Sequence, residues 1–208
     1  MSSEKTVRVI MVRHGSAEDL GRGATNWSPE ARLTDKGKEQ MKATARRWHD
    51  LFVQAVFFVA SPLIRAQESL FAMIHEIGYP NVLDLVEKVH ARGGLRYKNP
   101  KVWLQDGGPR LTFAEIYRRD PQGIEAEGHH VLDAILKIAE KMEDGQTALC
   151  VGHGGPLDAA YVLAYAGDDM VVDESEFFLS HKQFGNGEGA IFIVRNGHLV
   201  GTEKLLNE

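Results

Sequence analysis

The sequence predicts an α/β fold, a three-layer sandwich with a mainly parallel central sheet, helices on both faces and a C-terminal antiparallel hairpin. Short apolar runs of strand composition alternate with amphipathic segments of helical spacing, which favours strand–helix units. The 208 residues are enough to bury the core of one α/β domain. Asn196-Gly197 separates two strand-like runs, a strong hairpin signal. We therefore expect one domain over residues 1–208, with a loose terminus at 1–6.

Capping residues and turn signals set the order of the elements. Thr34 and Ser61 are expected as N-caps, with Pro62 at the first helical position, and Thr112 with Glu115 forms a capping box. In chain order we expect strands at about 7–12, 55–60, 81–89, 147–152, 190–194 and 198–202, and helices at about 35–51, 62–77, 112–119, 127–143 and 156–165. The segments 16–32, 91–111 and 168–185 are expected to be irregular, with 177–179 folded onto the core.

Composition excludes several classes of protein. The hydrophobic content of 43% and charged content of 25% are ordinary for a globular domain, and the net charge of −5 argues against general binding to nucleic acid or to an anionic membrane. Cys150 is the single cysteine, so no intramolecular disulfide can form, and it is expected to be a small buried hydrophobe. The sequence has no apolar run of membrane-spanning length and no signal-like start. A cytoplasmic location is the default expectation.

Three strand-like runs lead directly into residues that can bind an anion. Arg13 and His14 follow the first run, Arg65 lies shortly after the second, and His153 follows the third. Carboxyl ends of parallel strands meet at one edge of a sheet, so we expect these four side chains to converge. Guanidinium groups match phosphate oxygens, and the first turn of a helix also favours an anion. The pattern predicts a phosphate site.

Four motifs in order resemble the histidine phosphatase superfamily, which includes phosphoglycerate mutases, sugar phosphatases and phosphohistidine phosphatases. They are Arg13-His14-Gly15, Leu33-Thr34-x-x-Gly37, Ser61-Pro62-x-x-Arg65-Ala66 and Gly152-His153-Gly154-Gly155. The resemblance covers most of 7–65 and returns at about 148–163. The segment at about 76–127 matches no family signature closely. We expect it to be a variable insertion on the substrate side.

The resemblance implies a role for each matching residue. His14 would be the nucleophile that forms a phosphohistidine intermediate, and His153 would bind the transferring phosphoryl group as a charged donor. The backbone carbonyl near Gly15 would hold the His14 ring in one tautomer. The residues expected to bind phosphate are Arg13, Gly15, Arg65, His153 and Gly154. Neither a cofactor nor a metal is implied, and the nine histidines show no metal-ligand spacing.

The proton donor for the leaving group is left open by the sequence. Glu87 is the candidate general acid. Residues 87–95 resemble a segment of mutase-like members: the glutamate and the Gly-Gly-Leu are the same, but the residues that separate the glutamate from the Gly-Gly-Leu are different. Asp84 and Asp106 are further candidates, and Glu87 as an ordinary charged residue on a strand edge is an equal alternative. Another branch of the family has Asp directly after the second histidine. Gly154 occupies that position, which argues against that branch.

The function expected from these residues is that of a metal-independent phosphatase acting on a phosphomonoester or phosphohistidine. Its partner would be a phosphorylated small molecule or a phosphohistidine protein. Imidazole, with a pKa of about 6.5, is a far better leaving group than an alkoxide, so phosphohistidine could dispense with a strong acid. Two alternatives remain: a weakly catalytic phospho-ligand-binding module, and a phosphoglycerate mutase-type phosphotransferase, which the incomplete mutase signature disfavours. The substrate and the oligomeric state stay open.

Overall fold

The computed structural model describes residues 4–18, 30–79, 89–91, 111–166 and 174–207. The strands in these ranges are β1 (Thr6–Arg13), β2 (Ala55–Ala60), β3 (Val89–Ala91), β4 (Thr147–Gly152), β5 (Gly189–Arg195) and β6 (His198–Leu205). The helices are α1 (Asp35–Arg47), α2 (His49–Phe52), α3 (Ile64–Glu76), α4 (Phe113–Arg119), α5 (Pro121–Glu140), α6 (Gly154–Ala166) and α7 (Glu174–Ser180).

The described strands form one mixed sheet in the order β3-β2-β4-β1-β5-β6. The pairs β3–β2, β2–β4 and β4–β1 are parallel, whereas β1–β5 and the terminal β5–β6 hairpin are antiparallel. This confirms the predicted α/β class with its antiparallel C-terminal edge. The register aligns Arg13 with Gly152 and Ala60 with Val151, so β1, β4 and β2 end at the same edge of the sheet.

Helices cover both faces of the sheet, which gives the three predicted layers. Successive residues of β1 point into different cores, because side chains alternate across a strand. Val9 and Met11 pack into one cluster with residues of α4 to α7, while Ile10 and Val12 pack into the other with residues of α1 to α3. Strand β4 is buried along its whole length, including Cys150, as expected for a central parallel strand.

Two helix boundaries in the first half differ from the prediction. The helix expected at 35–51 is divided at Trp48, whose φ of −106° and ψ of 25° end α1 and start α2. Helix α3 begins at Ile64 after Leu63, not at Pro62 after Ser61. Ser61 is therefore not the N-cap: its Oγ accepts from the Leu63 N–H at 3.4 Å, before the helix begins, and also lies 2.8 Å from His153 Nε2. Thr34 does cap α1, accepting from the Gly37 N–H at 3.0 Å.

In the second half, two predictions are wrong about where structure starts. Helix α4 ends at Arg119 as predicted, but Asp120 then caps α5 by accepting from the Gly123 N–H, so α5 starts six residues before the predicted 127. It ends at Glu140. Part of the segment expected to be irregular forms α7. Phe178 there is buried as predicted, whereas Leu179 is 38% exposed.

Smaller differences affect α6 and β3. Helix α6 starts at Gly154, two residues before the predicted 156. The strand predicted at 81–89 is described only from Val89, and it continues through Ala91, where a loop was expected; residues 81–88 lie outside the described ranges. The capping box of Thr112 and Glu115 opens α4 as predicted. In the part of the chain that the structure describes, no helix is both long and apolar enough to cross a membrane.

Candidate active site

The candidate site lies where β1, β2 and β4 end. Arg13 is the last residue of β1 and His14 follows it, Ser61 follows β2, and His153 follows β4. The His14 N–H donates to the Gly152 carbonyl at 3.1 Å, and the Ser61 N–H donates to the Val151 carbonyl at 2.9 Å. These backbone bonds extend the parallel ladders past the strands. Three distant parts of the chain are thereby held together at one edge.

Two hydrogen bonds define the state of the His14 ring. Its Nδ1 lies 2.7 Å from the Gly15 carbonyl oxygen, and because a carbonyl can only accept, Nδ1 must carry the hydrogen. The Arg65 Nε–H donates to His14 Nε2 at 3.2 Å, which is consistent with a lone pair on Nε2. The ring is therefore held in one tautomer by the carbonyl that the resemblance implied. The unprotonated Nε2 of the ring faces the Arg65 guanidinium.

The surroundings of His14 also keep the ring neutral. Burial, the Arg65 charge and, less strongly, the Arg13 charge lower the pKa of His14 to about 3, against the opposing effect of the bond to the Gly15 carbonyl. A protonated imidazole has no lone pair for attack, so this shift maintains the nucleophilic form. At neutral pH the site contains fixed guanidinium charges beside an uncharged base.

Arg65 is the largest of the fully buried side chains, with 1% of its surface exposed. It lies in the first turn of α3, as predicted, although that helix starts later than expected. A short chain of hydrogen bonds ties this turn to the His14 loop. The Gly15 N–H donates to Ser69 Oγ at 3.2 Å, and the Ser69 hydroxyl donates to the Arg65 carbonyl at 2.7 Å. His14 and the Arg65 guanidinium are thus positioned against each other.

His153 completes the cluster on the other side of His14. The two ring centroids are 5.2 Å apart at an interplanar angle of 66°, and His153 Nε2 lies 2.8 Å from Ser61 Oγ. Burial above all, with the nearby His14 and the guanidinium groups, lowers the pKa of His153 well below its usual value. This shift disfavours the charged form that the resemblance implies for His153. A dianionic phosphate would act in the opposite direction and favour the charged form.

Arg13 is held by the C-terminal side of the fold. Its Nη1–H donates to the Phe184 carbonyl, its backbone N–H donates to the Glu188 carbonyl at 2.8 Å, and its carbonyl accepts from the Gly187 N–H at 3.0 Å. Gly154 lies directly against the guanidinium: a Cβ there would be 3.0 Å from Arg13 Nε. Gly154 thus leaves space for the Arg13 guanidinium, which a larger residue would displace by a few tenths of an ångström.

Close backbone contacts explain two further glycines of the predicted motifs. A Cβ at Gly15 would collide with the Gly37 carbonyl, and a Cβ at Gly37 would collide with the Ser16 carbonyl. The start of α1 therefore packs directly on the loop that carries His14. Both polar backbone groups of Gly15 bond inside the protein: its N–H donates to Ser69 Oγ, and its carbonyl accepts from His14 Nδ1. Its expected part in phosphate binding stays a prediction.

Not every predicted site residue can be located. Glu87, Asp84 and Asp106 lie outside the described residues. Among the residues that are described, no cluster of three or more His, Cys, Asp or Glu side chains could hold a metal ion. Neither the contact of Ser61 with His153 nor the bond from Arg13 to the Phe184 carbonyl is predicted from the sequence. A serine directly after a predicted buried strand was a usable signal, but the local capping rule gave it another role.

Comparison with known proteins agrees with this geometry. Residues 9–87 match the family model of the histidine phosphatase superfamily (branch 1). The chain is 32% identical over 146 residues to the Serine/threonine-protein phosphatase Pgam5, mitochondrial, of Drosophila mojavensis, covering 70% of this chain and 46% of that protein. It thus spans about half the length of the curated relatives it matches.

Solved structures show the same fold along nearly the whole chain. A phosphoserine phosphatase from Entamoeba histolytica, solved with 3-phosphoglyceric acid, superposes with a TM-score of 0.62 at 19% identity, over 97% of this chain and 98% of that one. A phosphoglycerate mutase from Bacillus anthracis gives a TM-score of 0.67 at 16% identity, over 97% and 93%. The comparisons lead to one conclusion: residues 9–87 match the histidine phosphatase superfamily, and the chain as a whole has the fold of phosphoglycerate mutase-like proteins.

Proposed function

We propose that this chain is a metal-independent phosphatase that hydrolyses a phosphomonoester through a covalent phosphohistidine on His14. The observation that carries the proposal is the state of the His14 ring. Nδ1 is fixed on the Gly15 carbonyl and Nε2 holds its lone pair beside Arg65, in an environment that lowers the pKa of the ring to about 3. A neutral, oriented imidazole among guanidinium groups is suited to attack a phosphoryl group.

The first half-reaction forms the phosphoenzyme. When a phosphoryl group enters, its oxygens replace His14 Nε2 as the acceptor of the Arg65 Nε–H, and this releases the lone pair. His14 Nε2 then attacks phosphorus, the P–N bond forms, and the P–O bond to the leaving group breaks. Arg13 and Arg65 stabilise the charge on the phosphoryl oxygens, which is the main contribution a protein makes to this reaction.

The second half-reaction regenerates the enzyme. Water attacks phosphorus, the P–N bond breaks with its electron pair returning to Nε2, and inorganic phosphate leaves. His153 lies beside His14 with Nε2 engaged by Ser61, so Nδ1 is the ring nitrogen that would contact a phosphoryl oxygen. A bound phosphate dianion would raise the pKa of His153, which restores the charged donor that the family resemblance implies.

The leaving group of an alkyl ester needs a proton, and Glu87 remains the proposed donor. The Glu87→Gln variant tests this when its activity is measured on two substrates, a phosphoserine peptide and p-nitrophenyl phosphate. The leaving group of p-nitrophenyl phosphate departs without a proton donor. Loss of activity on the peptide alone supports Glu87 as the acid. Equal activity of wild type and variant on both substrates would remove Glu87 from the mechanism and move the proposal to Asp84, Asp106 or no acid.

The names of the relatives that match in sequence favour serine or threonine phosphate as the substrate class, whereas one structural neighbour is named as a putative phosphohistidine phosphatase. One relative is a serine/threonine-protein phosphatase and one structural neighbour is a phosphoserine phosphatase. Both names describe an alkyl phosphomonoester, which is also the substrate class that requires an acid such as Glu87. The expected cytoplasmic location stays a prediction, and the Pgam5 relatives are named as mitochondrial proteins.

Hydrolysis of p-nitrophenyl phosphate in the presence of EDTA tests the proposal. Wild type, His14→Ala and a matched control, His75→Ala, are compared; His75 is an exposed histidine near the end of α3. We expect turnover in wild type and His75→Ala, and its loss in His14→Ala. Phosphate binding without turnover in any of the three would favour the binding module. Release of p-nitrophenol that requires added 3-phosphoglycerate as the phosphoryl acceptor would favour the mutase-type phosphotransferase.

A further inference from the structure

A buried carboxylate lies one helical turn behind the glycine that contacts Arg13. Asp158 belongs to α6, four residues after Gly154, and 0% of its surface is exposed. Every other described residue of this helix is apolar, glycine or tyrosine, so a fully buried aspartate stands out. Burial raises the pKa of Asp158, while His181, the Phe184 N–H and Arg13 all favour its charged form. A carboxylate is costly to bury unless it is paired and hydrogen-bonded, so the partners of Asp158 are informative.

The bonds of Asp158 lead to Arg13 through one residue. Asp158 Oδ1 accepts from the Phe184 N–H at 2.8 Å and pairs with His181 Nε2 at 2.8 Å. The carbonyl of the same Phe184 accepts the Arg13 Nη1–H. Asp158 therefore fixes one end of a residue whose other end binds the guanidinium.

The neighbours of Phe184 are fixed as well. The His181 side chain is 3% exposed, and its ring lies 5.3 to 5.5 Å from those of Phe113, Tyr161 and Phe184. Beyond Phe184, the Gly185 N–H donates to Glu188 Oε2 at 2.6 Å, and the Glu188 carbonyl accepts from the Arg13 N–H. The strap of residues 181–188 is thus tied to Asp158 at one end and to the Arg13 backbone at the other.

We propose that Asp158, with His181, is a positioning residue for Arg13: by holding the Phe184 backbone it aims the carbonyl that orients the guanidinium towards the phosphoryl group. The inference rests on the proposed function, in which Arg13 binds that group. Asp158 does not touch the reacting atoms. Its effect on catalysis must therefore depend on the presence of the Arg13 side chain, a dependence that a general structural role does not predict.

A double-mutant cycle tests this dependence. Asp158→Ala and Arg13→Ala are made singly and together, and each protein is assayed for kcat/KM on p-nitrophenyl phosphate and for Kd of orthovanadate. Because a displaced catalytic group can cost about 100-fold, we expect Asp158→Ala to lower kcat/KM by about 10- to 100-fold when Arg13 is present and by less than about twofold when it is absent. Asp158→Asn keeps an acceptor for the Phe184 N–H and should restore most of the loss.

Two further variants keep the test decisive. Ile138→Val weakens the core on α5 away from the site and should leave kcat/KM unchanged, which shows that lost stability alone does not produce the effect. If Asp158→Ala does not fold, His181→Phe takes its place in the cycle, because a phenyl ring fits the aromatic surroundings but cannot hold the carboxylate. A smaller loss that again requires Arg13 is expected.

The outcomes separate this inference from the proposed function. Active wild-type protein in which the Asp158 and Arg13 substitutions act independently, or in which Asp158→Asn is as impaired as Asp158→Ala, overturns the positioning role alone. Wild-type protein that neither turns over p-nitrophenyl phosphate nor binds orthovanadate overturns the proposed function, and the positioning role with it.

Discussion

His14 lies beside two guanidinium groups, and their charge helps to keep its imidazole unprotonated. A guanidinium near an imidazole disfavours its protonation, and burial acts in the same direction. Together they lower the pKa of His14 to about 3, while the Gly15 carbonyl fixes which nitrogen keeps the lone pair. In the proposed mechanism the two arginines would therefore have two roles: they would attract a phosphoryl group and would keep a competing proton from His14 Nε2.

This pKa shift makes a prediction about stability at acid pH. Between about pH 6.5 and pH 3 the unfolded His14 takes up a proton and the folded one does not, so folding is opposed more strongly as the pH falls. Within that window the free energy of unfolding falls by up to about 1.4 kcal/mol per pH unit because of His14, and above it His14 has no such effect. The free energy of unfolding of wild type, measured in urea from pH 7 to pH 4, should therefore fall more steeply than that of His14→Asn.

Ser69→Ala is the control for that comparison, because it removes a side chain of the same site that does not titrate in this range. Its curve should run parallel to that of wild type. Parallel curves for wild type and His14→Asn would show that the His14 ring is protonated in the folded protein at pH 4 to 6. The claim that the folded protein keeps His14 neutral would then be wrong for that range.

Ser61 gives a second prediction for single residues. Its hydroxyl lies 2.8 Å from His153 Nε2, so Ser61→Ala should disturb the orientation of the ring. One net hydrogen bond is worth about 0.5–1.5 kcal/mol, which corresponds to a loss in kcat/KM of about two- to tenfold. Ser61→Thr keeps the hydroxyl and should retain activity, as should Ser180→Ala on the exposed face of α7. Equal activity of Ser61→Ala and wild type would show that His153 does not need this contact.

Ser61 also shows where prediction from sequence stops. The motif that contains it is visible in the sequence, and Arg65 is placed correctly in a first turn facing the sheet edge. The local rule assigns the Ser61 hydroxyl to a helix cap, whereas its shortest contact is with His153, 92 residues away along the chain. Asp158, His181 and Phe184 are missed for the same reason: each contact depends on how α6 and the strap pack, which no local pattern in the sequence contains.

The start of α1 carries a prediction at the level of elements. Gly37 lies inside a helix, where alanine is ordinarily favoured over glycine by about 1 kcal/mol. Here a Cβ at Gly37 would collide with the backbone carbonyl of Ser16, in the loop that carries His14. Gly37→Ala should therefore destabilise the protein by about 1–3 kcal/mol in urea unfolding and lower kcat/KM as well.

Lys36→Ala, the exposed neighbouring position on α1, is the matched control and should change stability by less than about 0.5 kcal/mol. A Gly37→Ala variant that is more stable than wild type would mean that helix propensity outweighs the contact. The close packing of α1 on the His14 loop would then be wrong.

The strands are predicted more closely than the helices. The strands at 55–60 and 147–152 are central and buried, and their apolar runs have clear ends. Helix ends depend on competing signals at single residues. Asp120-Pro121 can end one helix or start the next, and both occur here, since Asp120 follows α4 and caps α5. Trp48 has no breaking residue beside it, so the division between α1 and α2 is not visible in the helical periodicity.

At the scale of the whole molecule, a net charge of −5 coexists with a site that concentrates positive charge. The sheet topology produces this arrangement by bringing Arg13 and Arg65, from two separate strand ends, to one edge. The two hydrophobic clusters on either side of the sheet hold these ends in register. A small anion should therefore bind at a local site and stabilise the entire fold.

Ligand binding should accordingly raise the midpoint of thermal unfolding. Orthovanadate at about 100 times its Kd contributes about 2.7 kcal/mol, which for a chain of this length is about 5 to 10 °C. Differential scanning fluorimetry measures this, with sodium chloride of equal ionic strength as the control. Arg65→Ala should show no comparable shift. An equal shift in Arg65→Ala would place the anion elsewhere on the molecule.

The central claim is that His14 carries the phosphoryl group during turnover, and trapping the phosphoenzyme tests it most directly. Wild type and His14→Ala are mixed with a phosphomonoester, quenched in alkali, which preserves phosphohistidine, and mapped by peptide mass spectrometry. We predict one phosphoryl group on the peptide containing His14 in wild type and none in His14→Ala. Steady turnover with no phosphoryl group on that peptide, or with one on a different residue, would contradict the claim.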